Sequence, residues 1–131
     1  MIDITRMAVA ITITSCLSLT ACNQSGNSAN ALATQSPVQL MAGVATQMQS
    51  CWFKKNDPAL APYKMATELD SFSGKPRVLI VPKNNPGGLP KLVVQAEKIG
   101  GRNRLEVFGP LLSESKGPVL NKQVRNWATG A

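Results

Sequence analysis

Apolar residues recur at three- and four-residue spacing from Val38: Met41, Val44, Ala45, Met48, Cys51 and Trp52 follow, with Gln39, Thr46, Gln47, Gln49 and Ser50 between them. That spacing gathers the apolar set on one face of an amphipathic helix of about four turns. Ser36-Pro37 supplies its start, a hydroxyl at N-cap and a proline at N1, where a missing N–H costs nothing. Gly43 weakens the helix by about 1 kcal/mol relative to alanine. Lys54 and Lys55 follow its end, where cations suit the helix dipole. Asn56 to Pro62 carries Asp57-Pro58 and Ala61-Pro62 and reads as a loop.

The period then changes from helical to alternating. Tyr63, Met65, Thr67 and Leu69 share one face of a first strand. Arg77 to Val81 is apolar on both faces, Lys91 to Glu97 nearly so, and Arg104 to Phe108 alternates again. Asp70 to Pro76, Asn84-Asn85-Pro86-Gly87-Gly88 and Gly100-Gly101 supply the turns. Connections this short favour an antiparallel meander, with the apolar second and third strands at its centre. After Gly109-Pro110, Pro118 to Thr129 reads as a closing helix with Val119, Leu120, Val124, Trp127 and Ala128 on its apolar face. The predicted fold class is α+β: an amphipathic helix, a four-stranded antiparallel meander and a C-terminal helix, over residues 37–131. Both helices are expected on one sheet face.

The residues before the domain have a different character. A start containing Arg6 precedes a short apolar run from Met7 to Leu17, which is the layout of a secretory signal. The run falls short of the ~20 apolar residues that a membrane span needs. Leu19-Thr20-Ala21-Cys22 then resembles the lipobox of bacterial lipoproteins. The resemblance implies a signal peptide over residues 1–21, cleavage between Ala21 and Cys22, and a diacylglycerol thioether with a further acyl chain on Cys22. It also implies a membrane held through that lipid. Asn23 to Ser36 is small and polar, so residues 22–36 are expected to form a flexible tether. In this family an Asp directly after the lipidated Cys retains the protein in the inner membrane. The residue here is Asn23, which implies the outer membrane, periplasmic face, with the inner membrane as the alternative.

Charge and cysteine content narrow the chemistry. The chain has 131 residues and a formal charge of +7. Residues 1–21 carry one acid, Asp3, and one base, Arg6, so their removal leaves that charge unchanged. The positive balance suits anionic surfaces such as phospholipid head groups, lipopolysaccharide or acidic proteins. Nucleic acid fits the charge but not an envelope location. There is no histidine, which removes the usual general base and the commonest nitrogen ligand for metals. No metal site and no cofactor beyond the covalent lipid on Cys22 is expected. With Cys16 removed and Cys22 lipidated, Cys51 is expected to be a thiol that is either buried and inert or paired between chains.

No motif identifies a reaction. Glu68 with Asp70, and Glu97 near Glu106, are the carboxylate groupings a glycosidase-like site would need. Their basic neighbours Lys64, Lys98, Arg102 and Arg104 favour surface pairing instead. The serines have no histidine partner, and the Gly-Gly pairs sit in strand turns instead of phosphate loops. More informative is a second apolar face. With Tyr63, Met65, Val78, Ile80, Leu92, Val94, Leu105 and Val107 toward the helices, Leu79, Val81, Val93 and Phe108 lie on the side that an antiparallel sheet usually gives to water. The first expectation is cover by the 53–62 loop or a helix; the second is a partner surface.

The helix ending Met48-Gln49-Ser50-Cys51-Trp52, the hairpin strand around Gly74 to Val81 and the closing helix are similar to the C-terminal domains of TonB and TolA energy-transducing proteins. That resemblance implies docking of envelope proteins, partly at a sheet edge. The extra strand Tyr63 to Leu69 and the lipid anchor depart from the pattern. The expectation is a non-catalytic binding or scaffolding lipoprotein with an envelope protein partner. The alternatives are an inhibitor or adaptor of an envelope enzyme, and an enzyme acting on cell wall or lipid.

Overall fold

A computed structural model describes residues 34–130 of the chain. The signal segment, the lipobox with Cys22 and most of the tether lie outside the described residues.

Helix α1 spans Pro37–Met48 and is closed at its start by a capping box. The Ser36 hydroxyl accepts from the Gln39 N–H at 3.2 Å, and the Gln39 side chain accepts from the Ser36 N–H at 3.0 Å. The helix does not run on unbroken to Trp52. Gln49–Phe53 forms a π-helical turn, in which the Lys54 N–H reaches the Gln49 carbonyl at 2.9 Å. Asn56, in the left-handed conformation, turns the chain out. Pro58–Leu60 makes a 3-10 turn capped by Asp57, whose side chain accepts from the Ala59 N–H at 3.0 Å.

The strands are β1 (Tyr63–Glu68), β2 (Arg77–Pro82), β3 (Leu92–Ile99) and β4 (Arg102–Phe108). They form one antiparallel sheet in chain order, the expected meander with β2 and β3 inside. After β4, Pro110–Ser113 makes a 3-10 turn and α2 spans Gly117–Thr129. Gly109 links sheet to turn with φ of 134°, and a side chain there would meet the backbone of Lys91 and Leu92.

One core joins these elements. Met41, Val44 and Met48 of α1, Val124 and Ala128 of α2, and Val78, Ile80, Leu92 and Val94 of the sheet are all essentially buried in it. These strand residues alternate onto one face, so both helices pack on that face. Trp52 sits at the seam, 1 % exposed, its Nε1–H donating to Gln123 Oε1 at 2.8 Å. Its ring meets Trp127 at 5.3 Å between centroids, tilted by 56°.

The expected helix faces need correction at three positions. Val38 is exposed and Leu40 is buried in its place, while Val119 on α2 is also exposed. Pro37–Met48 is regular α-helix, and its buried stripe is Leu40, Met41, Val44, Ala45 and Met48, with Val38 in the first turn lying off it. The π turn then advances by less angle per residue than an α turn and keeps Trp52 over the core. The turn Pro110–Ser113 buries Leu111, which was not foreseen.

Candidate functional site

The register defines the sheet face opposite the helices. Ala66 pairs Leu79, Leu79 pairs Val93, and Val93 pairs Phe108, so these four residues make an apolar row across all four strands. The next row is polar: Glu68, Arg77, Gln95 and Glu106. Ion pairs knit this half of the face together. Arg77 Nε meets Glu68, Lys75 Nζ meets Glu97 at 2.8 Å, and Arg104 meets Glu106 at 3.4 Å. Gln95 donates to Glu106 at 2.7 Å. The Glu106 carboxyl is held below its ordinary pKa, first by that hydrogen bond from Gln95. The Lys75 amine is held above its ordinary value, first by its hydrogen bond to Glu97.

Three of the four candidate acid/base carboxylates are thereby taken up with cations: Glu68 with Arg77, Glu97 with Lys75 and Glu106 with Arg104, while Asp70 is exposed and in no ion pair among the described residues. Among the described residues no group of three or more His, Cys, Asp or Glu could hold a metal ion.

The predicted partner surface divides on inspection. Val81 and Val93 are buried, Leu79 is half-buried, and Phe108 is 47 % exposed. Leu60 belongs to the helix-side core and Phe53 packs against it, whereas Val81 and Val93 lie outside that core. Phe108, on the edge strand β4, remains open to solvent.

Beyond the apolar row the charge is one-sided. Lys64 pairs Val81 across β1 and β2, and the Lys91 N–H donates to the Ile80 carbonyl at 2.8 Å from the β3 side. Lys83 and Lys91 line an open cleft of about 650 Å³ with Tyr63, Asn84 and Asn85. None of Lys64, Lys83 or Lys91 is in an ion pair among the described residues. Leu89, in the loop between β2 and β3 at this end, is 87 % exposed. The face is thus an apolar band with neutralised charge on one side and, on the other, cations outside any described ion pair, of which Lys83 Nζ donates to the Ala61 carbonyl at 2.7 Å.

Two features escaped the sequence reading. Phe72, in the β1–β2 loop, is fully exposed, and Ile99 at the end of β3 is 49 % exposed. An aromatic inside the turn-rich stretch Asp70 to Pro76 was the available signal. Cys51 requires a correction: it is half-buried and disulfide-bonded, not a thiol. The chain's other cysteines, Cys16 and Cys22, lie outside the described residues.

In comparisons with known proteins, no family model, no curated protein and no solved structure matches the chain.

Proposed function

We propose that this protein is an envelope lipoprotein whose domain is a non-catalytic docking module for an acidic protein partner. The observation that carries the reading is the face built from Ala66, Leu79, Val93 and Phe108. Neither described helix packs on it, and Lys64, Lys83 and Lys91 border it with charge that no carboxylate neutralises among the described residues. An apolar band beside unpaired cations is complementary to a partner that presents apolar residues flanked by carboxylates. The lipobox ending in Cys22 and the polar tether support attachment to the outer membrane, with the domain in the periplasm.

A photo-crosslinking residue at position 108 tests the docking face in the native envelope, beside one at exposed position 119 on α2. The expected result is a defined adduct from position 108 that the triple change Lys64→Glu, Lys83→Glu, Lys91→Glu abolishes. Equal adducts from both positions, or none from 108, would overturn the reading.

The anchor has its own test. A thioether uses the sulfur of Cys22, so lipidated Cys22 cannot be the disulfide partner of Cys51. Intact mass, cysteine mapping and membrane fractionation beside Cys22→Ser separate the cases. Acylated Cys22 in the outer-membrane fraction supports the anchor; a Cys22–Cys51 disulfide in the mature protein would remove it.

A further inference from the structure

The chain enters the domain at one particular end of the sheet. The Gln35 carbonyl accepts from Asn103 Nδ2 at 2.9 Å and from Lys98 Nζ at 3.4 Å. Asn103 is itself 6 % exposed, so the entry point is fixed to a buried side chain. Lys98 and Asn103 face each other beside the β3–β4 turn. The β1–β2 loop lies at the same end, because the meander returns there and Lys75 of that loop pairs with Glu97 of β3. This end therefore carries the point of chain entry, the fully exposed Phe72, the half-exposed Ile99 and the exposed cations Lys98 and Arg102. Neither cation is in an ion pair among the described residues.

We propose that this end of the domain rests on the surface of the bilayer, with Phe72 seated among the lipid head groups and Lys98 and Arg102 against anionic lipid. The proposal rests on the lipid anchor of the preceding reading. A small, polar tether over residues 22–34 would span ~20 Å as a flexible coil, which would make the entry end the part of the domain held nearest the membrane. The opposite end, with Leu89 and Lys91, stands a further ~25 Å away along β3. A fully exposed aromatic on a loop tip gains nothing from water. Beside cations, at the anchored end, it has the composition of an interfacial contact. The anionic bilayer is favoured here over a protein because position relative to the chain entry selects it. The docking face, by contrast, has its free charge at the far end.

The test is hydrogen exchange on the full lipidated protein in phosphatidylethanolamine–phosphatidylglycerol vesicles, compared with detergent. Residues 69–76 and 98–103 are expected to gain protection while 84–91 do not, and Phe72→Ser removes the gain with the lipid still present by intact mass. Sedimentation of the unlipidated Cys22→Ser chain with the same vesicles gives a second measure. Phe72→Ser and Arg102→Gln are each expected to weaken it by about fivefold. Protection at 84–91 equal to that at 69–76, or vesicle binding indifferent to both substitutions, would overturn the proposal. An acyl-free mass would remove the anchor, while the sedimentation result would still decide whether this end contacts lipid.

Discussion

Two glycine-to-alanine changes, both in helices, should move stability in opposite directions. Gly117 begins α2 and is buried against the preceding turn. A Cβ added there would lie 2.7 Å from the Leu112 Cα and closer still to that residue's carbonyl group. Ordinary contact begins near 3.4 Å, and the obstacle is backbone, so no rotamer change relieves it. Overpacking costs ~1–3 kcal/mol, and an obstacle that cannot swing away places Gly117→Ala at the upper end, about 3 kcal/mol. A domain of this size has only ~5–15 kcal/mol in total. The melting temperature should therefore fall by ~12–24 °C. Gly43 lies on the exposed side of α1, and a Cβ there meets nothing within 4 Å. Gly43→Ala should add about 1 kcal/mol through helix propensity and raise the melting temperature by ~4–8 °C. Urea unfolding and calorimetry of the unlipidated Cys22→Ser chain, followed by far-UV circular dichroism, measure both. If Gly117→Ala lies within ~0.5 kcal/mol of the parent, the ordinary range for a surface change, the close seating of α2 on the Pro110–Ser113 turn is wrong.

Two further outcomes follow from the side chains. Trp52→Phe removes the hydrogen bond to Gln123 and part of the ring volume, and should cost ~1–2 kcal/mol; Trp52→Ala should cost ~3–5 kcal/mol. A double-mutant cycle with Gln123→Ala, read by chemical denaturation, checks the pairing, and zero coupling would dismiss it. Glu106 has a folded pKa below its unfolded value, so its stabilising contribution is full above the unfolded carboxylate range and is lost as pH falls through the folded value. Carboxyl NMR titration of Gln95→Leu should show Glu106 returning toward its ordinary value of about 4.3; an unchanged midpoint would refute the assigned cause.

The sheet was legible because alternation and turn residues speak for themselves locally. Val78 and Ile80 against Leu79 and Val81 marked β2 as an inner strand, and Asn84 to Gly88 and Gly100-Gly101 marked where neighbours turn back. The helices were legible as elements but not in phase. Nothing in Gln49-Ser50-Cys51-Trp52-Phe53 distinguishes a π turn from another α turn, and three- and four-residue spacing alone does not decide whether Val38 or Leu40 borders the stripe of Met41, Val44 and Met48. The partner surface was half legible. Pattern put Leu79, Val81, Val93 and Phe108 on one face, but how far each is exposed is decided by the assembled structure and not by alternation. Phe72 was passed over because turn chemistry explains Asp70 to Pro76 without asking what its aromatic faces.

The π turn at Gln49–Phe53 also bears on how this domain tolerates changes in length. Such a turn holds one residue more than the α-helical path between the same two ends. It is therefore a built-in surplus, a place where the chain carries one position beyond what continuous helix requires. Deleting Ser50 would let the segment close into regular helix between the same two ends, with Trp52 kept near the seam and the 54–62 connection left in place. Two chains sharing this fold could thus differ by a single gap at this point and still place every strand alike, while their helical patterns fall out of step on either side of it.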